Sequence, residues 1–219
     1  LWSRGLGDVY KRQLIVQHDI YDLAKAYDGG DSSCRCGIMA LFGSKLDQEQ
    51  MPKFYLGNGL LCRNPYQPPK WNSPSNFSRD QLIPCIGGMT TNPACLGHLK
   101  SILRRTLERG SRFFSRTQNG DILAPDVMLY MHICADESPG LLLFWSGLLW
   151  HLLAIFYTAR LRSNTEQNQL MCICKVFGTL KLWKMIHPNW KKSIYVYFDN
   201  WRDQPEICEQ LIAECNKLS

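Results

Sequence analysis

The chain has no C-x-x-C pair and no H-x-x-x-H pair among its ten cysteines and five histidines. Cys34/Cys36 and Cys172/Cys174 are spaced i, i+2, a separation that a helix points in different directions, so a zinc site is not expected. It also lacks a phosphate-binding Gly-x-x-x-x-Gly-Lys loop, a dinucleotide fingerprint and a Gly-x-Ser-x-Gly nucleophile elbow, which removes the most readily recognised enzyme classes. No cofactor is implied by any motif that remains. Alternating strand patterns are scarce, and that shortage argues against a sheet-based fold.

Excess charge is missing too, once the first residues are set aside. Ser3 to Gln13 (Ser-Arg-Gly-Leu-Gly-Asp-Val-Tyr-Lys-Arg-Gln) resemble, codon by codon, the translation of an oligonucleotide used in transposase-based library preparation. The extra base ahead of that frame is a G, matching the only codon of Trp2. Residues 1–13 are therefore read as an adapter-derived artefact, and residues 14–219 as a single domain truncated at its N-terminus. Without residues 1–13, 22 basic and 18 acidic residues leave a net of +4. Such a mild charge does not argue for a nucleic-acid partner. The basic cluster Lys100, Arg104, Arg105, Arg109, Arg112 and Arg116 spreads around its helix and reads as a solvated face.

What is present suits a globular helical domain, with 45% hydrophobic and 20% charged residues. Most cysteines sit inside apolar helical runs, so they read as buried reduced thiols, which favours a cytoplasmic setting over a disulfide framework. Oligomeric state leaves no mark in the sequence.

Helical spacing is expected over Leu14 to Ala26, then after the capping side chains of Asp31-Ser32-Ser33, and again from Leu46 to Leu56. Residues 57–77 lose periodicity and interleave four prolines with Tyr66, Trp71 and Phe77. Ser78-Arg79-Asp80-Gln81 has the S-x-x-Q form of a capping box, so a helix should start there and run to about Met89. Pro93 to Arg109 is expected to bury a stripe of Leu96, Leu99, Leu103 and Leu107. Phe113 to Thr117 and Ile122-Leu123 flank Asn119-Gly120, a hairpin-turn signal. Leu141 to Tyr157, the most hydrophobic run, would span about 26 Å as a helix, short of the roughly 30 Å hydrocarbon core. It reads as a buried helix, with a membrane span as the alternative. A helix from Leu170 to Ile186, stopped by Pro188, and a last helix starting near Pro205 complete the pattern.

Two polar corners carry the candidate chemistry. In the first, Asp28 and Asp31 flank a glycine turn and a helix start; in the second, Arg79, Asp80 and Gln81 open a helix after the Pro/aromatic loop. Asp31 and Asp80 are candidate acid and base, since two carboxylates can divide those roles when their environments push their pKa values apart. Asp28, Arg79 and Gln81 are candidates to bind substrate hydroxyls or carboxylates, with Trp71 and Tyr66 stacking on an apolar sugar face. The alternative at both corners is helix capping alone. No metal ligand set is proposed.

At these corners the chain resembles a group of uncharacterised bacterial and phage proteins that pair an Asp-Gly-(Gly)-Asp-(Ser/Ala) segment with a later Phe-Ser-Arg-Asp-Gln helix start. Here those are Asp28-Gly29-Gly30-Asp31-Ser32 and Phe77-Ser78-Arg79-Asp80-Gln81, within a likeness over most of residues 27–130. The Ser-Arg-x-Gln helix start is also similar to one in the helical-hairpin toroids of unsaturated glucuronyl hydrolases, which have Gly where this chain has Asp80. That likeness implies helical hairpins forming part of an α/α toroid, with a carbohydrate ligand. The expected fold is all-α, with one small β-hairpin. The expected function is a carbohydrate-active, hydrolase-like protein, with a structural or interaction protein and a membrane-associated protein anchored through 141–157 as alternatives.

Overall fold

The computed structural model describes residues 32–66, 72–74, 77, 79–108, 164–192, 194 and 205–217. Its elements are helices joined by tight corners, plus one two-stranded antiparallel hairpin. The all-α expectation with one small hairpin therefore holds.

Helix α1 (Ser32–Leu41) is buried along its whole length. A helix covered on all sides is the centre of a core, not an amphipathic surface element. It ends where Gly43 takes a φ of 110°, with Ser44 N–H bonded to Met39 C=O and Gly43 N–H to Ala40 C=O. That pair of bonds is a Schellman stop, and only glycine adopts its left-handed position without strain. Ser44 then caps α2 (Lys45–Gln50), its hydroxyl accepting from Asp47 N–H. Gln48 Nε2 donates to Ala40 C=O at 2.9 Å, and the Cys36 thiol reaches Asp47 C=O at 3.5 Å, so α2 returns antiparallel to α1.

The helix expected to Leu56 stops earlier. Pro52 sits at the start of a 3-10 turn (Met51–Phe54), and β1 (Tyr55–Gly57) pairs with β2 (Leu60–Leu61). Gly57, Asn58 and Gly59 have φ of 97°, 51° and 72°, values that let Asn58-Gly59 close a two-residue hairpin loop. The observed hairpin thus uses Asn58-Gly59; the segment around Asn119-Gly120 lies outside the described residues.

Helix α3 (Arg79–Met89) contains Pro84 and lies parallel to α1. Ser33 meets Gln81, Gly37 faces Pro84 and Gly88, and Leu41 faces Gly87. A Cβ added to Gly37 would stand 2.3 Å from the Pro84 carbonyl oxygen, and one on Gly88 would stand 2.7 Å from Gly37 Cα. The two backbones touch, and both glycines are required for it. Asn92 then caps a 3-10 turn (Pro93–Cys95) and ties it to α2 through Gln48 C=O at 2.8 Å. From there α4 (Leu96–Glu108) returns past the hairpin, where the Tyr55 hydroxyl bonds Ser101 Oγ at 2.8 Å. Leu99 is buried as expected, whereas Leu96 is 41% exposed because it stands on the rim of a cleft. The side chains of Leu103 and Leu107 lie outside the described residues.

The single helix expected over Leu170 to Ile186 is two: α5 (Asn164–Val176) and α6 (Leu180–Ile186). Gly178, with φ 69°, breaks it through the same pair of bonds seen after α1: Thr179 N–H to Cys174 C=O and Gly178 N–H to Lys175 C=O. The final helix α7 (Pro205–Lys217) starts at its expected proline, and Lys184 Nζ on α6 donates to Cys215 C=O at 2.6 Å. The C-terminal ends of α1, α3 and α5 meet, since Leu41, Met89, Lys175 and Val176 line one cleft. The run 141–157 lies outside the described residues, and no described helix is long and apolar enough to cross a membrane.

Candidate functional site

A helix start leaves its first N–H groups without intrahelical acceptors, and in a buried helix they must find acceptors elsewhere. In α1 the Ser33 N–H bonds Arg63 C=O at 2.9 Å, while the Cys34 N–H bonds Gln81 Oε1 at 3.2 Å. The Ser33 hydroxyl donates to the same Gln81 oxygen at 2.8 Å. The first turn of α1 is thus capped from α3, across a sequence separation of 48 residues. Gln81, placed by sequence in its own capping box, has its carbonyl oxygen committed to the neighbouring helix.

Asn64 extends the network: its Nδ2 donates to Ser32 Oγ at 2.9 Å, and its Oδ1 accepts from Tyr66 N–H at 2.9 Å. The latter is an Asx turn around Pro65, the local geometry favoured by an Asn-Pro dipeptide. Ser32, Ser33, Asn64 and Gln81 are fully buried, and Arg35, one turn into α1, is 4% exposed. So many polar side chains inside an apolar core are uncommon unless they satisfy one another, as Ser33 does with Gln81 and Ser32 with Asn64.

The two polar corners therefore meet. Gln81 is at the centre of the contact, and Arg79 and Asp80 open the same helix, their side chains lying outside the described residues. Asp28, Asp31 and Trp71 also lie outside them. Tyr66 joins the network by its backbone only. Its ring is 45% exposed, with the Lys53 ammonium 5.4 Å from the ring centroid, and its hydroxyl contacts Lys53 Nζ at 2.7 Å and Gln50 Oε1 at 3.1 Å. These two distances put the ammonium beyond the hydroxyl tip of the ring and not over its face. Arg35 and Asn64 escaped the sequence reading: Arg35 stands in an apolar stretch with no motif, and Asn64 announces itself only through the Asn-Pro turn.

At the opposite end, the cleft between the C-terminal ends of α1, α3 and α5 has a volume of about 500 Å³, within the usual range of about 300–1,000 Å³ for small-ligand sites. The hydroxyls and the amide of its lining are already engaged. Thr90 and Thr91 hydroxyls donate to Gly87 and Gly88 carbonyls, and the Asn92 amide is bonded through both its atoms.

Nine cysteines among the described residues are free and buried. Burial pushes the Cys62, Cys174 and Cys215 thiols up to about 12 and Cys95 to about 11, and drives Cys85 and Cys172 well above the usual thiol range. The thiolate is the reactive form, so these groups are inert at neutral pH. In the native protein at pH 8, an aromatic disulfide reagent is expected to modify no more than one of the ten thiols, Cys134 lying outside the described residues; all ten should react in guanidinium. Two or more fast native thiols would contradict this arrangement. The same shifts carry a pH dependence. Thiols of the unfolded chain ionise near 9.0 while the folded ones stay protonated, so stability should hold below about pH 8 and fall as pH rises through 9 and above.

Among the described residues, no group of three or more His, Cys, Asp or Glu is placed to hold a metal ion. No family model, curated protein or solved structure matches the chain.

Proposed function

We propose that the chain is a carbohydrate-active, hydrolase-like protein whose ligand approaches the N-terminal ends of α1 and α3. The observation that carries this reading is the Ser33–Gln81 hydrogen bond at 2.8 Å. It holds together the two chain segments to which Asp31 and Asp80 belong, and paired glycosidase carboxylates act at separations of roughly 5 to 10 Å. Asp31 and Asp80 are the acid and base of the proposal. Helix N-termini favour the ionised form of a nearby carboxylate, so the proton donor would be the one kept further from the helix axis. Arg79, Asp28 and the exposed face of Tyr66 would contact the substrate, with Trp71 stacking on a sugar ring. Successive helical hairpins, each a central helix followed by a peripheral return, suit part of an α/α toroid.

The test is turnover of a panel of 4-nitrophenyl glycosides by the wild type and by Asp31→Asn and Asp80→Asn. Hydrolysis that falls at least about 100-fold in both variants, a loss of the size expected for removing a general acid or base, would support the assignment. No turnover of any glycoside, or equal turnover by the variants, would overturn it.

One observation favours a second reading, a structural or interaction protein whose corners serve only as caps: the Gln81 oxygen is already used by the Cys34 N–H and the Ser33 hydroxyl. In that case both Asp variants lose thermal stability and nothing else. The third reading, a membrane anchor through 141–157, falls outside the described residues.

A further inference from the structure

We propose that the corner formed by α6 and the turn after it is a docking surface for an anionic phospholipid membrane. Between Glu166 and Asp199 the chain has no carboxylate, yet it carries Lys175, Lys181, Lys184, Lys191 and Lys192. Lys181 and Met185, spaced i, i+4, share the outward stripe of α6, and Met185 is 73% exposed. Pro188, Asn189, Lys191 and Lys192 are exposed directly after it.

Two of these ammonium groups, those of Lys184 and Lys191, lie near one indole ring. Trp190 is buried, with Lys184 Nζ 5.8 Å and Lys191 Nζ 5.6 Å from its ring centroid. Lys184 is further held by Cys215 C=O on α7. On that helix Glu214 is already paired with Lys217 at 2.6 Å, so it does not neutralise the corner. His187, beneath the surface, has its pKa lowered by burial and adds no charge at neutral pH.

Charge of one sign around an exposed apolar side chain fits a surface of anionic headgroups, into whose boundary a flexible thioether can insert. It fits a single-stranded nucleic acid less well, because such binding uses exposed aromatic faces for stacking, and Trp183 and Trp190 are buried. The surface is distinct from the corners at the start of α1 and α3, so its test is independent of the hydrolase reading.

The experiment is co-sedimentation of the full chain with phosphatidylcholine vesicles, with and without one quarter phosphatidylglycerol, in 0.1 M salt. Binding is expected only to the anionic vesicles and should be lost at 0.5 M salt. The triple variant Lys181→Gln, Lys191→Gln, Lys192→Gln should weaken partitioning on the order of 100-fold, each lysine being worth about fivefold. A triple arginine variant should restore it, and Met185→Ser should weaken it with the charge unchanged. Absence of binding to anionic vesicles, equal binding to neutral ones, an unaffected glutamine variant, or retention by a single-stranded oligonucleotide alone would overturn the proposal. All three lysines are exposed, and coincident thermal transitions for wild type and variants separate a binding defect from misfolding.

Discussion

Gly37→Ala is expected to cost more than about 3 kcal/mol of stability, at or beyond the upper end of ordinary overpacking, and Gly37→Leu to abolish cooperative unfolding altogether. The added Cβ would sit 2.3 Å from Pro84 O, 2.5 Å from Pro84 C and 2.7 Å from Cys85 N. These are backbone atoms, so no rotamer change relieves the clash and α1 and α3 must separate. Separation would in turn stretch the Ser33–Gln81 and Cys34–Gln81 bonds one turn away. Gly97 provides the contrast, since a Cβ there meets nothing within 4 Å. Gly97→Ala should be neutral or stabilising by up to about 1 kcal/mol, because alanine restricts the unfolded chain. Urea denaturation of the three variants measures both effects. A Gly37→Ala protein within about 0.5 kcal/mol of wild type, the scatter of ordinary surface substitutions, would refute the close crossing.

Gln81→Leu is the second large effect, with an expected loss of about 2–4 kcal/mol, from leaving two buried donors unsatisfied at about 1–3 kcal/mol each. The donors are the Ser33 hydroxyl and the Cys34 N–H, both in a fully buried site. Combining it with Ser33→Ala should recover part of the loss, because one stranded donor is then gone; the double-mutant coupling is expected near 1 kcal/mol. Strict additivity would mean that the 2.8 Å contact has no energetic weight. These measurements also inform the hydrolase reading: a Gln81 variant that stays folded yet loses glycoside turnover would tie the cap to the site.

Much of this arrangement could be read locally. Ser78 to Gln81 marked the start of α3 and Pro205 the start of α7, and an Asn-Gly dipeptide does close the observed hairpin, at Asn58-Gly59; the hairpin expected around Asn119-Gly120 lies outside the described residues. Asn58-Gly59 was passed over because the helical spacing expected from Leu46 to Leu56 left no residues ahead of it for a strand. The break in Leu170 to Ile186 was hidden because its apolar spacing continues across Gly178, and one glycine costs a helix only about 1 kcal/mol. A signal was nevertheless present: Phe42-Gly43-Ser44 and Phe177-Gly178-Thr179 occupy the same positions in two identical helix stops. What no local rule carries is the destination of Gln81. Its side chain could bond back to its own helix start or across to another, and only the contact between Gly37 and Gly88 brings Ser33 within reach.

The repeated Phe-Gly-Ser/Thr corner has a kinetic consequence. Hairpins α1–α2 and α5–α6 close over a handful of residues, so each can form early and at little loop-closure cost. The α1–α3 seam must wait for segments separated by 48 residues to find one another, and non-local contacts of this kind slow folding. The cap on α1 therefore belongs to the late side of the folding barrier. Mutations at Gln81 should accelerate unfolding while leaving the refolding rate almost unchanged, so the bond that joins the two polar corners acts as the latch that keeps the finished molecule shut.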